Sequence, residues 1–181
     1  LKDNDTLQVN MYLQQLGKTP FFKKQKPTPY DEAISLIWFL ENVFYHSAGN
    51  ILSFLNSEFP EAVTEENQLI RMGFWPGGDR DGNPFVKADT TLKVAEALRQ
   101  SIIKCYYMEV RLLKGRLTFQ GVDTLLASLE ERLYKNLFIP GYNAYLSKDE
   151  IRATLIEIRK ILIEKHNSLF LNKVNNLLDK V

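Results

Sequence analysis

Apolar residues recur at spacings of three and four along most of the chain, and this pattern predicts a protein built mainly from helices. The clearest stretch consists of Ile151, Leu155, Ile158 and Leu162. Just before it, Ser147 and Glu150 have the spacing of a capping box, in which each side chain satisfies the other residue's free N–H group. The two signals together predict a helix that begins after Ser147.

Two more helices are predicted in the N-terminal third of the chain. The first spans about 6–16 and ends at Gly17, a residue type favoured after helix C-termini. In the second, Thr28 suits the N-cap, Pro29 the first helical position and Asp31 the positive end of the helix dipole. Its apolar stripe, predicted to be a buried face, comprises Ile34, Ile37, Trp38, Phe44, Ile51, Leu52 and Leu55.

The same spacing predicts helices in the C-terminal half. One begins near Asp89, and another begins at Asp123, which is suited to cap it after a turn at Gln120–Gly121. The apolar side predicted for the first comprises Ala95, Leu98, Ile102, Cys105, Val110 and Leu113. The stripe of the second comprises Leu126, Leu129, Leu133 and Leu137. A last stripe of Phe170, Val174 and Leu177 either continues the preceding helix or begins a new one at Asn167–Ser168.

One segment favours a strand. The segment 67–75 is short and rich in apolar side chains, and it is followed by Pro76, which cannot donate a backbone hydrogen bond to a sheet. A single strand cannot satisfy its own backbone, so we expect its partners outside this chain. The predicted fold class is therefore mainly α, with at most one or two short strands.

Composition excludes several classes of protein. The chain is 45% hydrophobic and 25% charged, as in a globular domain, and its 23 basic and 22 acidic residues give a net charge of +1. No overall field therefore favours nucleic acid or a membrane surface as a partner. The single Cys105 excludes an internal disulfide and a cysteine zinc site. Because the chain lacks a starting Met and stops inside a helical pattern, we expect it to be part of a larger protein.

The segment with the most chemical information is residues 73–86, GFWPGGDRDGNPFV. Its central glycines, which allow unusual backbone conformations and let a ligand approach the main chain, are Gly77, Gly78 and Gly82. Arg80 offers a planar fork of donors suited to phosphate or carboxylate, and Asp79 and Asp81 could orient it. Glycine, aspartate and asparagine also form ordinary surface turns, so composition leaves a ligand loop and a structural turn both open.

Two known ligand loops are excluded by register. Asp79, Asp81 and Asn83 alternate as in a calcium loop, which requires glycine at the sixth position and glutamate at the twelfth. Here Gly82 is fourth and Thr90 is twelfth. A phosphate-binding P-loop is excluded because no Gly-Lys-Ser/Thr follows.

The sequence GGDRDGNP at 77–84, after an aromatic-rich segment, strongly resembles the glycine–aspartate–arginine loop of the phosphoenolpyruvate carboxylase family. Residues 26–33 resemble that family's Pro-Thr-Pro-x-Asp-Glu helix start, and residues 175–181 resemble the helix before its next barrel strand. The resemblance implies a helical segment excised from a (β/α)8 barrel with many extra helices. In that interpretation 1–181 is a single helical fragment, and 73–86 carries an active-site loop.

The resemblance also implies a function. The family is a lyase that forms oxaloacetate and phosphate from phosphoenolpyruvate and bicarbonate, with magnesium or manganese, and so fixes carbon dioxide for the tricarboxylic acid cycle. The implied partners are these two substrates, the remaining barrel segments of the same chain, and further copies in a cytoplasmic homotetramer. Arg80 is implied as a catalytic residue. The implied substrate-binding residues are Gly77, Gly78, Asp79, Arg80, Asp81 and Asn83.

Other parts of the family's active site have no match in this sequence. The catalytic histidine motif, Thr-Ala-His-Pro-Thr, is absent, and His46 and His166 stand in other contexts, where we expect structural or exposed roles. We therefore expect this chain to bind no metal, to be inactive alone, and to expose apolar surface where the barrel would pack. The alternative is a helical interaction module, in which the loop at 77–84 is only a structural turn.

Overall fold

The computed structural model of the protein describes residues 2–20, 26–60, 69–142, 145–165 and 168–181. These residues form seven α-helices and one π-helical turn, and none of them belongs to a β-strand. The elements are α1 (Lys2–Lys18), α2 (Pro29–Phe39), the π-helical turn (Leu40–Phe44), α3 (Tyr45–Glu58), α4 (Ala88–Lys114), α5 (Val122–Phe138), α6 (Lys148–Glu164) and α7 (Ser168–Lys180). The predicted mainly helical class is confirmed.

Two helices begin with the capping residues that the sequence predicts. At the start of α2, Thr28 Oγ1 accepts the Asp31 N–H at 3.2 Å, and Asp31 Oδ2 accepts the Thr28 N–H at 2.9 Å, with Pro29 at the first helical position. At the start of α6, Ser147 Oγ accepts the Glu150 N–H at 3.2 Å, and Glu150 Oε2 accepts the Ser147 N–H at 2.9 Å. Both capping boxes satisfy backbone donors that a helix leaves free.

The N-terminus of α5 differs from the prediction. The turn at Gln120–Gly121 is present, but the N-cap position belongs to Gly121, whose φ of 93° turns the chain into the helix. Asp123 lies inside the first turn, where its Oδ1 accepts the Gly121 N–H at 3.0 Å. The prediction of Asp123 as the cap is therefore wrong by two residues, because glycine adopts this backbone conformation without the steric cost of a side chain.

The predicted strand is also wrong for residues 69–75, which form neither strand nor helix. Residues 67–68 lie outside the described residues. Ile70 and Met72 line a groove together with Leu52 of α3 and Leu98 of α4. An extended segment becomes a strand only by hydrogen bonding to another one, and no described segment pairs with this one.

The hydrophobic core lies among α4, α5, α6 and α7. Neighbours in sequence pack in pairs, α4 with α5, α5 with α6 and α6 with α7, while α3 packs on α7. Core side chains that match the predicted stripes and are at most 1% exposed are Val110, Leu126, Leu129, Leu133, Ile151, Leu155, Ile158, Leu162, Val174 and Leu177. Burying each such side chain contributes roughly 1.5–3 kcal/mol relative to leaving it in water, so this cluster is the main source of stability.

The buried face of α4 matches the predicted one only in part. Of the six predicted side chains, Val110 and Leu113 are buried and Leu98 and Cys105 are half-buried. Ala95 and Ile102 are exposed, whereas their neighbours Val94 and Ile103 are buried. This helix has 27 residues and packs on α2 as well as on α5. Two packing partners define a buried face that a single stripe of apolar residues does not describe.

The last two helices are separate, because α6 ends at Glu164 and α7 begins at Ser168. Of the two alternatives for the final stripe, the new helix is the one observed. His166 and Asn167 lie outside the described residues. The first helix, α1, runs through Gly17 to Lys18, and its side chains from position 5 onward are exposed.

The helix from Pro29 to Glu58 is continuous but contains a wide turn. At the π-helical turn the Tyr45 N–H donates to the Leu40 carbonyl, five residues back, so this turn holds one residue more than an α-helical turn. On one side of it, α2 packs on α4; on the other, α3 packs on α7. The α3–α7 contact places Gly49 against the Lys180 side chain and lets Ser53 Oγ donate to Asp179 Oδ2 at 3.1 Å.

Much of the stripe predicted to be buried on this helix is exposed. Ile37 is buried, and Leu52 and Leu55 are half-buried. Four side chains of the stripe, which we term the exposed stripe residues, are 42–55% exposed and comprise Ile34, Trp38, Phe44 and Ile51. Apolar surface is therefore exposed, as expected, and the packing of barrel segments on it stays a prediction. The prediction that the whole stripe is buried is wrong. No described helix is both long and apolar enough to cross a membrane.

Candidate functional site

The loop at 77–84 begins with a glycine that the fold requires. Gly77 is buried and has φ of 77°, a conformation that side chains with a Cβ rarely adopt. A Cβ built on it would lie only 2.6 Å from Val94 Cγ2. The Gly78 N–H donates to the Trp75 carbonyl at 3.0 Å and closes the preceding turn. The backbone of the loop therefore rests directly on the second turn of α4.

A hydroxyl on α4 joins this backbone to the arginine of the loop. Thr91 Oγ1 donates to the Gly77 carbonyl at 2.7 Å, and Arg80 Nη2 donates to Thr91 Oγ1 at 3.3 Å. Thr91 and Val94 are three residues apart and therefore lie on the same face of α4. This face supports the loop through one hydrogen-bonding residue and one apolar residue.

The guanidinium of Arg80 is exposed and forms no ion pair with a carboxylate of the described residues. The neighbouring aspartates do not hold it in place. Asp79 Oδ1 instead accepts the Asp81 N–H at 3.3 Å and so stabilises the loop backbone. The positive charge of Arg80 is therefore available to an anion from solvent or from another part of a larger protein.

Asn83 stabilises the exit from the loop. Its Oδ1 accepts the Phe85 N–H at 3.1 Å, and its backbone carbonyl accepts the Val86 N–H at 3.0 Å. Val86 is buried and immediately precedes the N-cap of α4, Lys87. In this structure the side-chain carbonyl of Asn83 thus has a structural contact, and its role toward substrate stays a prediction.

The two N-terminal sequence blocks that carry the family resemblance meet in space. A cleft of about 790 Å³ is lined by residues 26–30 on one side and by Asn83 and Phe85 on the other. Lysines at its rim include Lys87 and Lys93, the latter paired with Asp89 at 2.8 Å. The fold therefore brings the helix start at 26–33 beside the loop at 77–84, although about 50 residues separate them in sequence.

Thr91 and Val94 were not predicted from the sequence to be parts of the site. The available signal was their position: they lie three residues apart in the first two turns of the helix that directly follows the loop. Helix residues at that distance share a face, so both can contact one segment packed against the start of the helix. The structure thus adds two supporting residues to the predicted set.

Other reactive side chains lie elsewhere. His46 is exposed on α3, with its ring 5.3 Å from that of Tyr45. Burial, with a smaller contribution from Glu41, raises the pKa of the Cys105 thiol to about 11, which suits packing better than nucleophilic chemistry. Among the residues described, no group of three or more histidine, cysteine, aspartate or glutamate side chains could hold a metal ion.

Comparison with known proteins identifies relatives over nearly the whole chain. The family model described as phosphoenolpyruvate carboxylase matches residues 2–177. The phosphoenolpyruvate carboxylase of Shewanella oneidensis is 30% identical over 177 residues, which cover 92% of this chain and 19% of that protein. Those of Salmonella gallinarum and Chlamydomonas reinhardtii are 32% and 28% identical, over 71% and 69% of this chain and 16% and 13% of theirs.

The chain thus spans about a fifth or less of the length of the curated relatives it matches. No solved structure matches it. The family match extends across α1 to α7 and includes the glycine–aspartate–arginine loop at 77–84. On this match, the chain belongs to the phosphoenolpyruvate carboxylase family.

Proposed function

We propose that this chain is a helical part of a phosphoenolpyruvate carboxylase, the enzyme that forms oxaloacetate and phosphate from phosphoenolpyruvate and bicarbonate. Its contribution to the active site is the loop at 77–84. The observation that carries the proposal is the state of Arg80, which is exposed and has no carboxylate partner among the described residues. The alternative, an interaction module with a purely structural turn, expects this charge to be neutralised within the loop.

The chemistry of the substrate suits an arginine at this position. Phosphoenolpyruvate carries a phosphate and a carboxylate, and the guanidinium fork can donate two parallel hydrogen bonds to either group. Negative charge moves on the phosphoryl oxygens and builds on the enolate when the phosphoryl group leaves for bicarbonate. A donor already held in place stabilises that charge without reorganising during the reaction. Thr91 engages only one of the five N–H donors of the Arg80 guanidinium, so others remain to face an anion.

The remaining parts of the enzyme belong to other segments in this proposal. The described residues do not by themselves fit a metal centre, so we assign magnesium or manganese to ligands in the rest of a cytoplasmic, homotetrameric enzyme. The barrel segments of the same chain would cover the exposed stripe residues between Ile34 and Ile51. Exposed apolar patches of this kind mark surfaces that pack against a partner.

Binding energies predict that the isolated chain is inactive. One charge-assisted arginine–phosphate contact contributes roughly 1.5–3 kcal/mol, whereas a dissociation constant of 1 mM requires about 4.1 kcal/mol. Arg80 alone should therefore bind phosphoenolpyruvate more weakly than ~1 mM. The sequence also lacks the family's histidine motif. Oxaloacetate production by the purified chain above a metal-only blank would contradict this part of the proposal.

The decisive experiment replaces Arg80 in the full-length enzyme that carries this segment. We expect Arg80→Ala to lower kcat/KM at least ~100-fold, the effect of removing one preorganised donor to a developing negative charge. Arg80→Lys should restore little of it, because an ammonium group cannot copy the planar fork. Steady-state assays with circular dichroism would separate lost activity from lost structure.

The matched control is Arg116→Ala, which removes another exposed arginine, in the turn between α4 and α5. It should leave kcat/KM unchanged within about twofold, because neutral surface substitutions away from a site seldom have larger effects. A full-length Arg80→Ala enzyme with a near-normal rate would remove Arg80 from the active site and would refute the proposal.

A further inference from the structure

We propose that Thr91 positions the Arg80 guanidinium for the reaction, so that a hydroxyl on α4 orients the charged group of the loop. This inference rests on the proposed function of Arg80. It adds a positioning residue that acts through Arg80 and has no substrate contact of its own.

The geometry of the hydroxyl supports this role. The Thr91 hydroxyl has a single proton, and its shortest acceptor is the Gly77 carbonyl, at 2.7 Å. With the proton directed to that carbonyl, an oxygen lone pair is left to accept the Arg80 Nη2–H at 3.3 Å. The second acceptor in reach, the Lys87 carbonyl at 3.4 Å, lies at the N-cap of the same helix. The loop backbone therefore fixes the rotation of the hydroxyl, and the hydroxyl in turn orients the arginine.

Thr91 is itself held firmly. It is half-buried, it lies in the 27-residue helix α4, and its β-branched side chain has a restricted χ1 angle. One turn further on, Val94 is 4% exposed and packs beneath Gly77. A rigid helix residue thus contacts a long exposed side chain that would otherwise sample many rotamers.

No other described side chain performs this task. Arg80 has no ion pair with a described carboxylate, and the Asp79 carboxylate is used by the Asp81 N–H. Within the described part of the chain, Thr91 is the side chain that hydrogen-bonds the guanidinium. Removal of its hydroxyl should leave Arg80 present and charged but poorly oriented.

The test uses the full-length enzyme carrying this segment, with Thr91→Val and Thr91→Ser. Valine has nearly the same shape but no hydroxyl, so we expect kcat/KM to fall about fivefold to tenfold, which corresponds to about 1–1.4 kcal/mol at 1.36 kcal/mol per tenfold. Serine keeps the hydroxyl, so Thr91→Ser should stay within about twofold of the parent, since its donor and acceptor remain. The matched control is Thr154→Val, which removes a hydroxyl that donates to the Glu150 carbonyl in α6 and should change neither kcat nor KM.

A positioning role is separated from a structural one by combining Thr91→Val with Arg80→Ala. If Thr91 acts through Arg80, the valine variant should change kcat/KM by less than about twofold once the guanidinium is gone, because coupled residues are not additive. Should Thr91→Val lower the Tm, Thr91→Ala repeats the test without the added methyl.

Each outcome decides between the possibilities. Equal losses from Thr91→Val with and without Arg80, or no loss with Arg80 present, would overturn the positioning role while leaving the proposed function intact. A near-normal rate for Arg80→Ala alone would overturn the proposed function, and the positioning role with it.

Discussion

Substitution of Gly77 by alanine tests whether the loop rests on α4 as described. Two costs arise from the structure. A residue with a Cβ at φ of 77° lies in the left-handed region, which costs about 1–2 kcal/mol. The new Cβ would also lie 2.6 Å from Val94 Cγ2 and 3.0 Å from Val94 Cβ, and overpacking of this kind costs about 1–3 kcal/mol. Gly77→Ala should therefore lower the free energy of unfolding by about 2–5 kcal/mol.

The assay is urea unfolding of the chain followed by circular dichroism, with Gly73→Ala as the matched control. A methyl group on Gly73 would meet no heavy atom within 4 Å, and this glycine does not have the left-handed backbone conformation of Gly77. Alanine there should be neutral or stabilising by up to about 1 kcal/mol, because it restricts the unfolded chain.

A double variant separates the two costs. Combined with Val94→Ala, which removes the two methyl groups but keeps the Cβ at 3.0 Å, Gly77→Ala should cost clearly less than alone and approach the backbone part of about 1–2 kcal/mol. If Gly77→Ala is as harmless as Gly73→Ala, or if its cost is unchanged in the Val94→Ala background, the described packing of the loop on α4 is wrong.

Two further predictions concern ionisable groups. Hydrogen bonds from the Ser147 backbone and, to a smaller extent, from Arg132 lower the pKa of Glu150 from 4.5 to about 2. The ionised Glu150 therefore stabilises the folded chain fully above about pH 4.5, and this stabilisation is lost as the pH falls through about 2. Glu150→Gln should flatten the fall in unfolding free energy across that window in urea titrations, and an unchanged slope would contradict the assignment. Burial raises the pKa of Cys105 from 9.0 to about 11, so alkylation by iodoacetamide at pH 8 should be about a hundredfold slower in the native chain than in urea; equal rates would refute it.

The features that the sequence predicted correctly depend on residues close together in the chain. The capping box of α6 needs only a hydroxyl and a carboxylate three residues apart, here Ser147 and Glu150. The stripe from Ile151 to Leu162 is regular enough that any packing partner would bury the same face. Local spacing was sufficient in both cases.

The features that the sequence missed depend on distant contacts. On α4, periodicity did not indicate that Val94 would be buried and Ala95 exposed, because the buried face is set by where α2 and α5 pack. Residues 69–75 have a strand-like composition, but a strand also needs a neighbour to pair with.

In the candidate site, too, the features set by neighbouring residues were predicted and the one set by a distant contact was not. Its loop and Arg80 were predicted from a contiguous motif, and the requirement for glycine at position 77 follows from the bend there. The support from Thr91 was not predicted, because it joins side chains eleven residues apart and depends on how α4 folds back under the loop. Sequence thus indicated which group the site presents, and the structure was needed to see what holds it.

The π-helical turn at Leu40–Phe44 determines how the two ends of a long helix face their partners. Each residue advances an α-helix by about 100°, so removing the extra residue would rotate α3 by that angle relative to α2. Gly49 would then swing away from Lys180, and Ser53 would lose Asp179, while α2 kept its place on α4. The one extra residue therefore sets the rotation between α2 and α3, so that one continuous helix can pack against both α4 and α7.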